Sequence, residues 1–376
     1  MPALAVLDSV ALTKLSSFSS LSPRAVTVEE MLDRSEGSIY SSQEKSFNFL
    51  KREVAVRLAH MIMELQHLPK ELQAESACQK TIADYCQSFG EVLKFEDLEA
   101  SDVALEDFRT TLLTFRQRHE ETVHHMALAY TAMKETHNMD MDDSSSYLIF
   151  NSIKLFLDRF YTSRISIRLI TNLHLALCAK EDRVQPNHAE IVKRNCDIRS
   201  ILSDVVDEVT VVVESNYMAA PKVDIEMYEG GKRPRDPLLI DFVPGHLSRI
   251  FREILMNSMV ATVENHFHDQ ENLPAITVSI CQANDDFTIK ISDQGGGMDR
   301  DFAAKSFLYQ YRTKPRYSNI HHLKDGSGLP LARLYARYFQ GDIKMASYEV
   351  RSFNPASVES LSSFIFRVTE QMSIFT

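Results

Sequence analysis

The sequence predicts a protein of two domains, with an N-terminal helical bundle of the four-helix type ahead of an α/β sandwich. Three observations support this prediction. A chain of 376 residues is longer than one hydrophobic core ordinarily supports. Apolar residues recur at helical spacing from about residue 41 to residue 177. The second half combines helical patterns with glycine-rich turns and with apolar residues at every second position, which is typical of strands.

Three amphipathic segments dominate the first half. Ser41 and Glu44 have the spacing of a capping box, and they precede a predicted helix whose apolar stripe begins at Phe47. The other two predicted helices run from about 105 to 130 and from about 153 to beyond 170. Helices of this length bury their apolar stripes against one another, which predicts a bundle.

The second half combines predicted helices with predicted strands. Period-two alternation at 276–280 and 287–291, with a polar turn between them, predicts adjacent antiparallel strands that have one buried face. Helices covering that face would complete a sandwich. The other predicted elements are helices at about 198–215, 246–264 and 330–340 and a strand at about 364–368.

Composition argues against several classes of protein. The net charge of −11 is unsuited to general nucleic-acid binding, which depends on clustered Lys and Arg. No apolar run approaches the roughly 18 residues that a membrane span needs, so we expect no membrane insertion. The five cysteines are scattered without a CxxC pair, which predicts neither a zinc site nor a disulfide framework and fits a reducing compartment.

The chain divides into three predicted segments. Residues 1–26 are rich in serine and poor in acidic residues, which is weakly typical of a targeting segment. A flexible N-terminal arm is the alternative. Residues 27–183 are the predicted helical domain, and residues 184–376 are the predicted sandwich domain.

The predicted helix at 246–264 presents two polar side chains opposite its apolar stripe. Glu253 and Asn257 are four residues apart, so they share one face. An ordinary solvated face is the alternative for such a pair.

A glycine-rich segment follows the second predicted strand. Asp293 stands at the strand end, and Gly295, Gly296 and Gly297 follow it closely. Glycines allow close approach of a ligand to the backbone, and the carboxylate can accept a hydrogen bond from an exocyclic amine. A simple turn is the alternative.

A second glycine-rich segment opens directly into the last predicted helix. It consists of Gly326, Ser327, Gly328, Leu329 and Pro330. Free backbone N–H groups and the helix dipole favour phosphate at such a terminus.

Together, these three elements resemble the N, G1 and G2 boxes of the GHKL (Bergerat) ATPase and kinase superfamily. The segment between Gly297 and Gly326 would then be a lid over the nucleotide. The resemblance implies an ATP-binding domain behind the helical bundle.

Within that superfamily, the sequence is similar to the mitochondrial pyruvate dehydrogenase kinases. The similarity lies at 246–264 and 333–342, and independently at 156–168 in the helical half. It covers about residues 25–345. The related branched-chain 2-oxoacid dehydrogenase kinases share much of it.

The resemblance implies roles for particular residues. Asn257 would bind Mg²⁺, Glu253 would accept the proton of a substrate serine, and Asp293 would accept a hydrogen bond from adenine. Gly295 and Gly297 would shape the adenine pocket. The remaining ATP-binding positions implied are Gly326, Ser327, Gly328, Leu329 and, in the lid, Thr313.

The resemblance also implies regulatory sites in the helical domain. A pocket for an inhibitory 2-oxo acid would be lined by Arg116, His119, Arg164 and Arg168. From the residues alone, internal salt bridges to acidic neighbours such as Asp158 are the alternative. A lipoyl domain would dock near Met31, Leu32 and Phe47, for which ordinary packing in the bundle is the alternative.

The implied activity is that of an ATP- and Mg²⁺-dependent protein-serine kinase. It would phosphorylate and inactivate the E1 component of the pyruvate dehydrogenase complex, with a branched-chain 2-oxoacid dehydrogenase complex as the alternative. Its partners would be the E1α subunit and the lipoyl domain of E2, its state a homodimer, and its location the mitochondrial matrix. A histidine kinase is a weaker alternative, since His119 lies on an apolar stripe and no suitable proline follows it.

A further alternative is a degenerate member that binds the complex without transferring phosphate, but the retained Glu253, Asn257 and Asp293 favour an active kinase. Three departures from the family pattern keep open reduced or altered nucleotide binding. Arg249 stands, one helical turn before Glu253, where the pyruvate dehydrogenase kinases have a histidine. Lys324 and Asp325 replace a glycine–aromatic pair, and no Gly-x-Gly-Thr segment can be placed at 348–360.

Overall fold

The computed structural model shows two compact units, which divide the chain between Val192 and Lys193. The division falls slightly later in the sequence than the predicted boundary at 183/184. The structure describes residues 7–139, 144–179, 190–230, 237–283, 286–311, 326–348 and 361–369.

The first unit is helical in its regular structure throughout the described residues. Its long helices pack side by side, with α3 against α5 and α8, α6 against α8, and α7 against α5. This packing confirms the predicted bundle. The helices are α1 (Ser9–Ser19), α2 (Val28–Leu32), α3 (Gln43–Gln66), α4 (Lys70–Ala74), α5 (Ser76–Leu93), α6 (Asp102–Arg118), α7 (Thr122–Thr136) and α8 (Ser144–Cys178).

Aromatic rings fill the centre of the bundle. The ring of Phe47 meets the ring of Phe108 edge-on at 5.1 Å between centroids, and Phe95 lies 5.1 Å from Phe108. Phe47 has no exposed surface and Met31 is 1% exposed, while Leu32 is half-buried. Phe47 and Met31 therefore do not present a surface to a lipoyl domain in this structure, and ordinary packing accounts for both.

The predicted helix at 105–130 is two helices. α6 ends at Arg118, His119 caps it through a backbone bond to Phe115, and α7 begins at Thr122. Neither glycine nor proline marks this break. The two helices share α5 as a neighbour but otherwise pack differently, since α6 also contacts α3 and α8, whereas α7 also contacts α4.

The start of α3 also differs by one residue from the capping box expected at Ser41. Ser42 is the N-cap, and its hydroxyl accepts a hydrogen bond from the N–H of Lys45 at 3.2 Å. Ser41 instead donates its hydroxyl to the carbonyl of Ser38 at 2.8 Å.

The N-terminal segment is folded over its described part rather than forming a flexible arm. The Asp8 carboxylate caps α1 by accepting from the N–H of Ala11 at 2.7 Å. Leu15 and Phe18 are buried, and Phe18 meets the ring of Phe89 on α5 at 6.2 Å. The apolar spacing of a short amphipathic helix explains the difference, and a targeting role for residues 1–26 stays a prediction.

The second unit is an α/β sandwich. Its main sheet has five strands in the order β2-β4-β5-β7-β6, and β1 and β3 form a separate antiparallel pair. The elements are β1 (Lys193–Asp197), α9 (Ile198–Tyr217), β2 (Val223–Glu229), β3 (Leu239–Phe242), α10 (Pro244–Asn265), β4 (Ile276–Ala283), β5 (Asp286–Asp293), α11 (Arg300–Lys305), α12 (Gly328–Tyr338), β6 (Asp342–Tyr348) and β7 (Leu361–Thr369).

The predicted strand pair is confirmed. β4 and β5 are antiparallel, with Ile280 opposite Ile289, and both of these side chains are buried. The turn predicted between them lies outside the described residues. The sheet as a whole is mixed rather than antiparallel, because β2 pairs with β4 in parallel. Helix α10 packs against α9, α12 and β5, which puts the helical layer on one face of the sheet.

No helix in the part of the chain that the structure describes is long and apolar enough to span a membrane.

Candidate active site

Helix α10 carries the first group of candidate site residues. Pro244 begins it, and its predicted apolar stripe is buried, with Leu247, Phe251 and Leu255 each 1% exposed or less. Glu253 and Asn257 lie on the more exposed side and are each half-buried. The side-chain Nδ2 of Asn257 donates to the backbone carbonyl of Glu253 at 2.7 Å. This bond leaves the amide oxygen of Asn257 as the atom that remains to accept or coordinate.

Asp293 ends β5 and is almost fully buried, at 3% exposed. Its Oδ2 accepts from the hydroxyl of Ser258 at 2.9 Å, and its Oδ1 accepts from the N–H of Gly295 at 3.0 Å. Burial raises the pKa of this carboxyl to about 6, against an ordinary 3.8, because the charged form loses solvation. The two hydrogen bonds oppose that shift, fix the side chain and leave lone pairs on both oxygens.

The glycines after Asp293 let the backbone cross α10 at close range. A Cβ at Gly295 would lie 2.5 Å from the Cβ of Ala261, which no relaxed structure allows. Gly296 has φ of +92°, a conformation that favours glycine. The side-chain amide of Asn265 donates to the carbonyl of Gln294 at 3.2 Å and fixes the crossing.

The second glycine-rich segment lies against Glu253. A Cβ at Gly328 would overlap the carboxylate oxygen Oε2 of Glu253. Gly326 has φ of +55°, and its carbonyl accepts from the N–H of Gln310 at 2.8 Å. Helix α12 begins at Gly328, so the N–H groups of its first turn point out of the helix beside Glu253. Such a terminus is suited to phosphate.

The structure thus places the predicted residues along one helix. Glu253 lies against Gly328 at the start of α12, Asn257 bonds to the backbone of Glu253, and the Asp293 segment contacts Ser258 and Ala261 further along α10. Thr313 lies outside the described residues. Ser258 and Ala261 were not predicted, although their spacing from Asn257, one and four residues, puts Ala261 on the same helix face.

The residues predicted to form a regulatory pocket are only partly brought together. Arg164 Nη2 donates to the carbonyl of His119 at 2.6 Å. Arg168 instead pairs with Glu190, at 2.7 and 2.8 Å to its two oxygens. Asp158, the acid considered from sequence, pairs with Lys154 at 2.5 Å.

His119 is the buried centre of this cluster. It is 3% exposed, and Ser88 Oγ lies 2.9 Å from its Nε2. Burial first, and then the nearby Arg164 and Arg118 charges, lower its pKa to about 3, so the imidazole is neutral. Arg118, which was not predicted, donates to both oxygens of Glu91 at 2.8 and 2.9 Å. Arg116 is half-buried.

Each of the two units matches the profile of a known family. Residues 25–193 match the family profile described as mitochondrial branched-chain alpha-ketoacid dehydrogenase kinase. Residues 243–370 match the profile described as histidine kinase-, DNA gyrase B- and HSP90-like ATPase. The fold and the site therefore define a GHKL-type ATPase domain that follows a kinase-type helical domain.

Curated relatives extend over nearly the whole chain. The mitochondrial pyruvate dehydrogenase (acetyl-transferring) kinase of Ascaris suum is 36% identical over 340 residues, which is 89% of this chain and 82% of that protein. The Drosophila melanogaster kinase of the same name is 32% identical, over 95% of this chain and 86% of that protein. Human isozyme 1 is 34% identical, over 88% and 76%. The chain belongs to the mitochondrial pyruvate dehydrogenase kinase family, whose members are protein-serine kinases.

Proposed function

We propose that this protein is an ATP- and Mg²⁺-dependent serine kinase that phosphorylates and inactivates the E1 component of the pyruvate dehydrogenase complex. The supporting observation is that the Glu253 carboxylate lies against Gly328 at the start of α12, with Asn257 one turn later on α10 and the Asp293 segment further along the same helix. Phosphoryl transfer depends mostly on positioning and charge neutralisation, which such an arrangement supplies.

The residues present suit the metal and the nucleotide. Since Asn257 commits its Nδ2 to the carbonyl of Glu253, its Oδ1 is the atom that would bind Mg²⁺, a cation that prefers oxygen ligands. Bound Mg²⁺ would neutralise phosphate charge. Asp293 would accept a hydrogen bond from the adenine amine while Ser258 and Gly295 keep its carboxylate in place.

Glu253 would take the proton of the substrate serine. Its carboxylate lies beside Gly328, where the first turn of α12 would bind the phosphates, so acceptor and donor groups meet at one point. The retained geometry of Glu253, Asn257 and Asp293 favours an active kinase over a degenerate member.

The family relationship also supports the partners and the location. The E1α subunit would be the substrate and a lipoyl domain of E2 the docking partner. The protein would form a homodimer through the sheets of its second unit and work in the mitochondrial matrix. Because Met31 and Phe47 are buried, of the three residues considered only Leu32 is proposed to contact the lipoyl domain directly.

The test is incubation with Mg-ATP and either purified pyruvate or purified branched-chain E1, followed by detection of phosphoserine and assay of E1 activity. We expect phosphoserine on the pyruvate E1 and loss of its activity. Phosphorylation of branched-chain E1 alone would reassign the substrate. Phosphorylation of neither, with binding retained, would identify a non-catalytic member.

A further prediction concerns the cluster around His119. Dichloroacetate or a 2-oxo acid should inhibit the kinase, because Arg164 offers a buried guanidinium that can bind a small carboxylate. Arg164→Ala should weaken that inhibition about tenfold or more. The matched control is Arg159→Ala on the same helix, since Arg159 is exposed and pairs with Glu64 at the surface.

Kinase rates at increasing concentrations of dichloroacetate or the 2-oxo acid measure this effect. Thermal unfolding is recorded alongside, because Arg164 also donates a hydrogen bond to the carbonyl of His119 at the break between α6 and α7. An insensitive wild type, or a fully sensitive Arg164→Ala variant, would contradict the pocket assignment.

A further inference from the structure

Arg249 lies one helical turn before Glu253, on the face of α10 that contacts α12. The two helices run antiparallel, as successive contacts show. Glu253 lies against Gly328, and the guanidinium carbon of Arg249 is 5.5 Å from the centroid of the Tyr335 ring. One turn further back, the His246 ring is 4.6 Å from the same tyrosine. Arg249 and Glu253 therefore share one row of side chains.

The groups along this row follow a fixed order. Asp293 contacts Ser258, Asn257 comes next, and Glu253 follows at the start of α12. Arg249 lies about 6 Å beyond Glu253 along the helix axis, at ~1.5 Å per residue. It is on the side of the proposed base that faces away from the adenine and metal residues. If Glu253 is the proposed base, the substrate serine lies at Glu253 and Arg249 is one helical turn from it.

Among the described residues, no acidic side chain pairs with Arg249. Its Nε is buried without a hydrogen-bond partner, and within the described part of the chain it forms no ion pair. Its neighbour Arg252 pairs with Glu208 at 2.5 Å, and Arg333 pairs with Asp342 at 2.7 Å. In a chain of net charge −11, a partly desolvated guanidinium without an acid is unusual. Leaving a buried donor without a partner is unfavourable, and a carboxylate is its best partner.

We propose that Arg249 is a specificity-determining residue that binds an acidic side chain close to the target serine of the protein substrate. Stacking on Tyr335 orients the guanidinium and leaves its edge for that carboxylate. This inference rests on the proposed kinase function and adds the chemistry of the sequence that the site selects.

The first test compares Arg249→Gln with Arg252→Gln in the full-length protein, using purified E1 as substrate. Arg252 is the matched control, because it removes a charge from the same helix at an exposed site. We expect Arg249→Gln to raise KM for E1 about tenfold or more, with the Kd for Mg-ATP and the melting temperature unchanged. Arg249→Lys, which keeps the charge, should restore part of the difference.

The second test uses peptides that contain the target serine, each with one neighbouring acid replaced by its amide. In the wild type, one such replacement should raise KM, and in Arg249→Gln the same replacement should have no effect. A purely structural role for Arg249 would not produce this loss of discrimination.

Three results would overturn the inference while the wild type still phosphorylates E1. These are equal KM values for Arg249→Gln and Arg252→Gln, an effect of Arg249→Gln on ATP affinity alone, and indifference of the wild type to every acid replacement. Failure of the wild type to phosphorylate either E1 would instead refute the proposed function.

Discussion

Glu253→Gln is expected to lower the rate of phosphoryl transfer by about 100-fold or more while leaving ATP affinity close to wild type. Gln has nearly the same shape, so the contact with Gly328 is kept. The bond from Asn257 goes to the backbone carbonyl of residue 253, so the side-chain change leaves it intact. The substitution removes the proton acceptor. Single-turnover transfer to E1 and calorimetric titration with Mg-ATP measure the two quantities separately.

The matched control is Glu264→Gln on the same helix. Glu264 is also half-buried, but its carboxylate accepts from the hydroxyl of Tyr217 at 2.6 Å, away from Gly328. This variant should transfer phosphate at close to the wild-type rate. A Glu253→Gln protein with wild-type turnover would exclude Glu253 as the base, and one with lost ATP binding would show that Glu253 acts in nucleotide binding.

The parts of the fold that sequence patterns predict are those with local causes. The alternation that forms β4 and β5, and the apolar stripe of α10, are each visible within a short stretch of sequence. β2 is different: it alternates apolar and acidic residues, but its partner β4 lies some fifty residues later and is parallel. A pairing of that kind depends on the whole sheet and leaves little local signal.

The break between α6 and α7 shows the same limit. His119 ends α6 while lying 4.1 Å from the ring of Tyr85 and close to Arg164, which donates to its carbonyl. Each of these contacts comes from another helix, so a periodic pattern over 105–130 continues through the break. The partner of Arg164 is also a backbone carbonyl, which charge patterning cannot reveal.

In the candidate site, the charged residues and the glycines could be predicted from the sequence. The residues that hold them in place could not. Glu253 and Asp293 stand out as polar residues on defined elements. Ser258 and Ala261 look like ordinary small residues of a helix. They matter only because the glycine segment crosses α10 there: Ser258 donates to Asp293, and Ala261 lies where a side chain at Gly295 would clash.

Asp293→Ala is expected to weaken ATP binding about tenfold or more, because it removes the acceptor for the adenine amine. Asp293→Asn is the matched variant, since it keeps an oxygen acceptor and the shape but cannot titrate. The Kd for Mg-ATP, measured by calorimetry between pH 7.5 and 5.5, is the observable. Equal affinity of wild type and Asp293→Ala would mean that the segment after β5 is only a turn.

The pH dependence of Asp293 provides the sharper part of this prediction. Since its pKa in the folded protein is raised to about 6 from 3.8, the free protein takes up a proton at that carboxyl as the pH falls through 6. That proton must leave before the carboxylate can accept from adenine, so the affinity of wild type for ATP, relative to Asp293→Asn, should fall below pH 6.

The contribution of Asp293 to the free energy of unfolding should depend on pH in the opposite direction. The folded state binds the extra proton between about pH 4 and 6, so this contribution to stability is present at low pH and is lost as the pH rises through 6. Asp293→Asn should abolish both trends, and an unchanged affinity ratio across pH 6 would show that adenine does not bind this carboxylate.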